Sequence, residues 1–143
     1  MNNVRVLNRK EIEKILPHRD AMLLLDQVRL EEGYSIGSYK VRGDEFFLQG
    51  HFPDNPIVPG VILCEMMGQS ACLLVEEEGD FTPYFTKLDK VRFKKPVVPG
   101  QELEFKCKIS SVRKPFYFIE AKGYADGQLC VSGDLAFAIV KKI

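Results

Sequence analysis

In the second half of the chain, apolar and polar positions alternate at period two. In "ELEFKCKISSVRK", residues 102–114, Leu103, Phe105, Cys107 and Ile109 share one side, as in a strand with one buried face. "FYFIEAKGYADG" and "LCVSGDLAFAIVKK" continue in kind, joined at Asp126-Gly127, a strong hairpin signal. "PYFTKLDKVRFKKPV" reads as a further strand that leads to a Pro99-Gly100 turn. Nearer the N-terminus, "AMLLLDQVRLEEG" and "YSIGSYKVRG" read as paired strands about Glu32-Gly33. A short helix through "RKEIEKIL" takes Asn8 as its cap and Ile12, Ile15 and Leu16 as its apolar stripe, and it ends at Pro17.

One segment breaks the two-residue rhythm. After a loop over 44–60 that holds Pro53, Pro56 and Pro59, residues 61–78 carry Leu63, Met66, Met67, Ser70, Leu73 and Leu74 at helical spacing. Val61, Ile62, Cys64, Ala71 and Cys72 fill the other sides. A helix apolar nearly all round is buried. "EEEGD", 76–80, is expected to end it, with Gly79 as C-cap and the acids turned to water, since acids oppose the dipole there. The order is strand, strand, long helix, then four strands. A single helix can cover one face of a meandering antiparallel sheet. A helix apolar on every side needs that sheet to curl around it. The expected architecture is α+β, a hot dog fold in a single domain over 1–143.

Composition narrows the function. Lys plus Arg and Asp plus Glu are 20 each, so the formal net charge is zero. That argues against general nucleic-acid binding. No run reaches the ~20 apolar residues of a membrane span, and the polar N-terminus is not a signal peptide. Cys64, Cys72, Cys107 and Cys130 form no CxxC pair and lie among apolar residues. They read as buried free thiols in a reducing cytosol. With two histidines, His18 and His51, no metal site is expected.

The polar exceptions are then conspicuous. Glu65 lies inside the apolar helix, and burying an unpaired carboxylate is costly. His51 lies in the proline-rich loop before it. A neutral imidazole beside a desolvated carboxyl makes a general base beside a general acid. Gly60, at the expected helix start, offers a backbone N–H without an intrahelical partner and allows close approach to a carbonyl. Gln69 is one turn beyond Glu65 on the same face and can hold the carboxyl in one orientation.

"GHFPDNPIVPGVILCEMMGQSA" closely resembles the active-site segment of the FabZ family, the (3R)-3-hydroxyacyl-[acyl-carrier-protein] dehydratases of bacterial fatty-acid synthesis. "ILPHRDAMLLLDQV" resembles the family's N-terminal segment, and "LDKVRFKKPVVPGQELE" its second signature. The three keep the family's order and cover most of the chain. The resemblance implies that His51 and Glu65 are the catalytic pair, acting without cofactor or metal. The related isomerising FabA type usually has aspartate at the second position, so Glu65 favours the FabZ type. The resemblance also implies a homodimer with His51 from one subunit and Glu65 from the other, leaves open whether it assembles further as a trimer of dimers, and fits the cytoplasmic location expected from the thiols.

A substrate tail needs an apolar tunnel, for which Val91 and Phe93 are candidates. Tyr84 and Phe85 match a position where family members carry a mobile tyrosine. The partner implied is an acidic acyl carrier protein. Lys90, Arg92 and Lys94, at period two on one strand face, with Lys95, are the candidate docking patch, which Arg113 and Lys114 could extend. His18 belongs to the resemblance but carries no derived chemistry beyond a structural hydrogen bond. A hot dog thioesterase and a non-catalytic acyl-binding module are the alternative readings.

Overall fold

The computed structural model describes residues 4–141. The elements run β1 (Arg5–Asn8), α1 (Arg9–Glu13), β2 (Gln27–Glu31), β3 (Tyr34–Lys40), α2 (Gly60–Cys72), β4 (Phe81–Phe93), β5 (Glu102–Arg113), β6 (Phe116–Ala125) and β7 (Gln128–Lys141). Single 3-10 turns occupy Asp20–Met22 and Phe46–Leu48. The strands form one antiparallel sheet in the order β1-β2-β3-β5-β6-β7-β4. Helix α2 lies on its concave side against β3, β5 and β6. This is the hot dog arrangement.

The sheet is not a simple meander. β4 pairs with β7 at the far edge, while β5 pairs with β3 in the middle. The proline-containing connection over 94–101 carries the chain between them. It is tied down on the way: the Val58 N–H donates to the Val97 carbonyl at 2.8 Å and the Gly100 N–H to the Val41 carbonyl at 2.8 Å.

Burial follows the period-two reading. Leu103, Phe105 and Cys107 are fully buried, opposite buried α2 residues such as Met66 and Met67. The sheet and helix meet most closely at Gly37, where a methyl group would collide with Ser70. β1 escaped the sequence reading because only Leu7 of its four residues points inward.

Several expected elements are shorter than their patterns; α1 already ends at Glu13, with Lys14 as its C-cap, rather than at Pro17. β2 begins at Gln27, not Ala21. Leu23, Leu24 and Leu25 are buried, but the Leu24 N–H donates to Gln69 Oε1 at 2.9 Å rather than to a neighbouring strand. α2 ends at Cys72, with Leu73 as its C-cap, six residues before position 78. Gly79, at φ +82°, belongs to the turn into β4 and does not cap the helix. The early stop takes Glu76, Glu77 and Glu78 out of the helix, where they would oppose its dipole. Nor do all three point to water: Glu77 accepts from the Tyr117 hydroxyl at 2.7 Å and lies 3.4 Å from Lys114 Nζ and 3.5 Å from Lys141 Nζ.

Candidate active site

Glu65 sits in the second turn of α2. Its side chain is 25% exposed, so the carboxyl is not sealed in the core but opens into a cavity of about 180 Å³ shared with His18, Gln69, Cys72, Tyr84 and Phe85. Gln69 is buried and fully used. Its Oε1 accepts from Leu24, and its Nε2 donates to the Met22 carbonyl at 2.7 Å and to Glu65 Oε2 at 2.9 Å. The orienting role expected of Gln69 thus has a mechanism, because its amide is itself held by the segment before β2. His18 Nε2 lies 3.3 Å from the same Oε2, a contact that spacing along the chain could not reveal. Burial pushes the Cys72 thiol well above its ordinary value, and the Glu65 charge acts in the same direction. Cys72 therefore stays a thiol and is a poor nucleophile.

His51 occupies the loop before α2. Its Nδ1 is 2.9 Å from the Ile57 carbonyl oxygen. That oxygen can only accept, so Nδ1 carries the hydrogen and Nε2 presents a lone pair. Its ring stacks on Phe52 with centroids 4.1 Å apart. His51 lines a second cavity, of about 430 Å³, with Gly60, Val61, Phe93, Lys94 and Lys95. Gly60 opens α2 after Pro59. A Cβ there would lie 2.8 Å from the Phe93 ring, so glycine is what lets the helix N-terminus and that ring coexist.

Within one chain the candidate residues line two cavities that share no lining residue. Glu65, Gln69 and Tyr84 line one cavity, and His51, Gly60 and Phe93 line the other. Val91 packs against the hydrophobic core and against Gly133, away from both cavities.

Residues 16–134 match the FabA-like domain. The chain belongs to the FabA-like family. It is of the FabZ type: it is 40% identical over 138 residues to a 3-hydroxyacyl-[acyl-carrier-protein] dehydratase FabZ of Clostridium perfringens, covering 94% of this chain and 99% of that protein. A protein of the same name from Sulfurovum sp. is 39% identical over 148 residues, covering 96% and 99%. Among solved structures, the dehydratase heterocomplex ApeI:P from Xenorhabdus doucetiae superposes with a TM-score of 0.80 at 22% identity, over 92% of this chain and 91% of that one. That likeness establishes the shared fold.

The cations expected to form one stripe do not. A bulge between Asp89 and Arg92, with Lys90 at φ +53°, interrupts the alternation, and Lys94 lies beyond the end of β4. Lys90 borders a separate cavity with Tyr34, Lys106 and Lys108, whereas Lys94 and Lys95 flank His51. Lys114 is no extension of that group. It reaches Glu77 beside Lys141, which pairs with Phe81 at the opposite end of β4.

Proposed function

We propose that this chain dehydrates 3-hydroxyacyl groups carried on acyl carrier protein to trans-2-enoyl groups, with His51 as base and Glu65 as acid. The observation that carries the chemistry is the pair of complementary half-sites. One presents a lone pair on a fixed imidazole beside a helix N-terminus. The other presents a carboxyl held from one side and open to a cavity on the other.

His51 Nε2 takes a proton from the α-carbon. The Gly60 N–H stabilises the negative charge that develops on the thioester oxygen. The electron pair moves to form the α,β double bond, and the β-hydroxyl leaves as water with the proton from Glu65. His51 ends one proton richer and Glu65 one proton poorer, and exchange with solvent resets both.

The halves meet when two copies associate, with His51 of one facing Glu65 of the other. The outer edge of β4 favours this. It carries exposed Tyr84, Phe85, Leu88 and Phe93 along an open strand edge, a template for pairing with another chain. Tyr84, 56% exposed at the rim of the Glu65 cavity, is placed to gate it. That cavity is small beside the ~300–1,000 Å³ of typical ligand sites, so an acyl tail needs those aromatics to move. Lys94 and Lys95, beside the His51 half, are the preferred docking contacts for an acidic carrier. The four free, buried thiols suit a reducing cytoplasm.

The test is mass spectrometry of the products from a 3-hydroxyacyl-carrier substrate. The wild type should give the enoyl thioester, and Glu65→Gln should lose roughly 10²–10⁴-fold in turnover while remaining folded. Release of free carrier thiol would instead indicate a thioesterase.

A further inference from the structure

Both nitrogen donors near Glu65 approach one oxygen. Gln69 Nε2 lies 2.9 Å and His18 Nε2 3.3 Å from Oε2. Among the described residues no protein donor meets Oε1. With Gln69 donating to Oε2 and His18 Nε2 3.3 Å from it, that oxygen is a poor place for the carboxyl hydrogen. The proton that leaves with the hydroxyl therefore belongs on Oε1, the oxygen left open to substrate. Gln69 alone does not force this, since it occupies only one of the two lone pairs.

The state of His18 can be read from its other nitrogen. Nδ1 is buried and has no hydrogen-bond partner. A hydrogen there would be an orphaned buried donor, the less tolerated kind of unsatisfied group. The hydrogen therefore belongs on Nε2, the nitrogen 3.3 Å from Glu65 Oε2. The backbone around it is braced. The Arg19 guanidinium donates to the carbonyls of Leu16, His18 and Glu13 at 2.7, 2.8 and 2.7 Å, and Arg9 donates to those of Asp20 and Leu25 at 2.8 and 3.3 Å. The other titratable groups lining the shared cavity are the buried Cys72 thiol and the Tyr84 hydroxyl. Neither hydrogen-bonds to the imidazole.

We infer that His18 is a positioning residue: as a neutral Nε2–H donor it fixes which oxygen of Glu65 carries the transferable proton. This rests on Glu65 being the acid, as proposed above.

Two amide replacements separate this role from simple space filling. Glutamine places an N–H where Nε2 was, and asparagine places one where Nδ1 was. His18→Gln should keep kcat within about threefold of wild type, whereas His18→Asn should lose roughly 10–100-fold in kcat at nearly constant KM. The loss should also depend on the leaving group. With a 3-fluoroacyl thioester, His51 takes the α-proton and the C–F electron pair departs with fluoride, which needs no proton from Glu65. On that substrate His18→Asn should fall within about threefold of wild type. Equal rates for the two amides, or the same loss on both substrates, would overturn the inference. In the folded wild type, ¹⁵N NMR of His18 should report the Nε2–H tautomer, and an Nδ1–H form would overturn it independently of any variant. Wild-type turnover in Glu65→Gln would instead remove the parent assignment.

Discussion

The hydrogen bonds of single residues decide where the reactive groups point, and several lie outside the two cavities. Glu45 accepts from the Tyr39 hydroxyl at 2.6 Å, the Arg42 N–H at 2.9 Å and the Gly43 N–H at 2.7 Å. It thereby fixes the turn that leads through Phe46–Leu48, where the His51 N–H donates to the Leu48 carbonyl at 3.1 Å. Burial alone would raise the Glu45 carboxyl, but the bonds from Arg42, Tyr39 and Gly43 outweigh it and hold it below its ordinary value. A carboxylate depressed on folding contributes stability that is complete above its unfolded pKa and drains away as pH falls through the folded one. Glu45→Gln should therefore be less stable than wild type at pH 7, with the gap closing as pH drops below about 4, near the unfolded glutamate value. Denaturant melts of both proteins between pH 7 and pH 3 test this, and a gap independent of pH would contradict it. As candidates, His51, Glu65, Gly60 and Gln69 were visible in the sequence because an acid and an imidazole flanking a Pro-Gly helix start stand out against apolar neighbours. His18 was not, because its partner is 47 residues away and nothing in its local pattern points there.

The elements supply the levers that hold those residues. α2 and the segment before β2 are joined by one side chain. Gln69 stands in for the strand partner that Leu24 lacks and is itself only 1% exposed. Replacing it with leucine removes the partners of the Leu24 N–H and the Met22 carbonyl. Gln69→Leu should therefore be destabilised by about 2–4 kcal/mol in equilibrium unfolding, from the burial of unsatisfied backbone groups. A change under about 0.5 kcal/mol would mean that the segment can find other partners. The same bond explains why "AMLLLDQVRLEEG" misled as one strand. Its pattern fits a buried extended chain, which 23–25 is, but the ladder partner there is a side-chain amide. The overlong helix has a similar cause: Leu73, Leu74 and Val75 keep the apolar pattern going, while the acids after them make further helix unfavourable. The cation stripe failed because a bulge at Lys90 cannot be read from alternation that looks regular on both sides of it.

For the whole molecule, class and layering follow from the pattern, and pairing order does not. Four alternating runs and one all-apolar helix imply a sheet curled on a helix, but nothing local says that β4 bypasses β5 to reach β7. That order puts β4, with its exposed aromatics, on an open edge of the sheet. Carrier docking also belongs to this scale. Charge reversal at Lys94 and Lys95 together should raise KM for a carrier-borne substrate at least about tenfold while leaving a short thioester mimic within about twofold, since complementary charge acts on the carrier and not on the acyl group. Equal effects on both substrates would place docking elsewhere. The central claim, that the imidazole and the carboxyl come from two copies, is tested most directly by mixing two inactive proteins, His51→Ala and Glu65→Gln, under conditions that exchange subunits. If the site spans the interface, each mixed dimer regains one intact site, and random exchange should restore roughly a quarter of wild-type turnover. If both groups act within one chain, every chain in the mixture lacks one of them, and turnover will stay at the level of the separate variants.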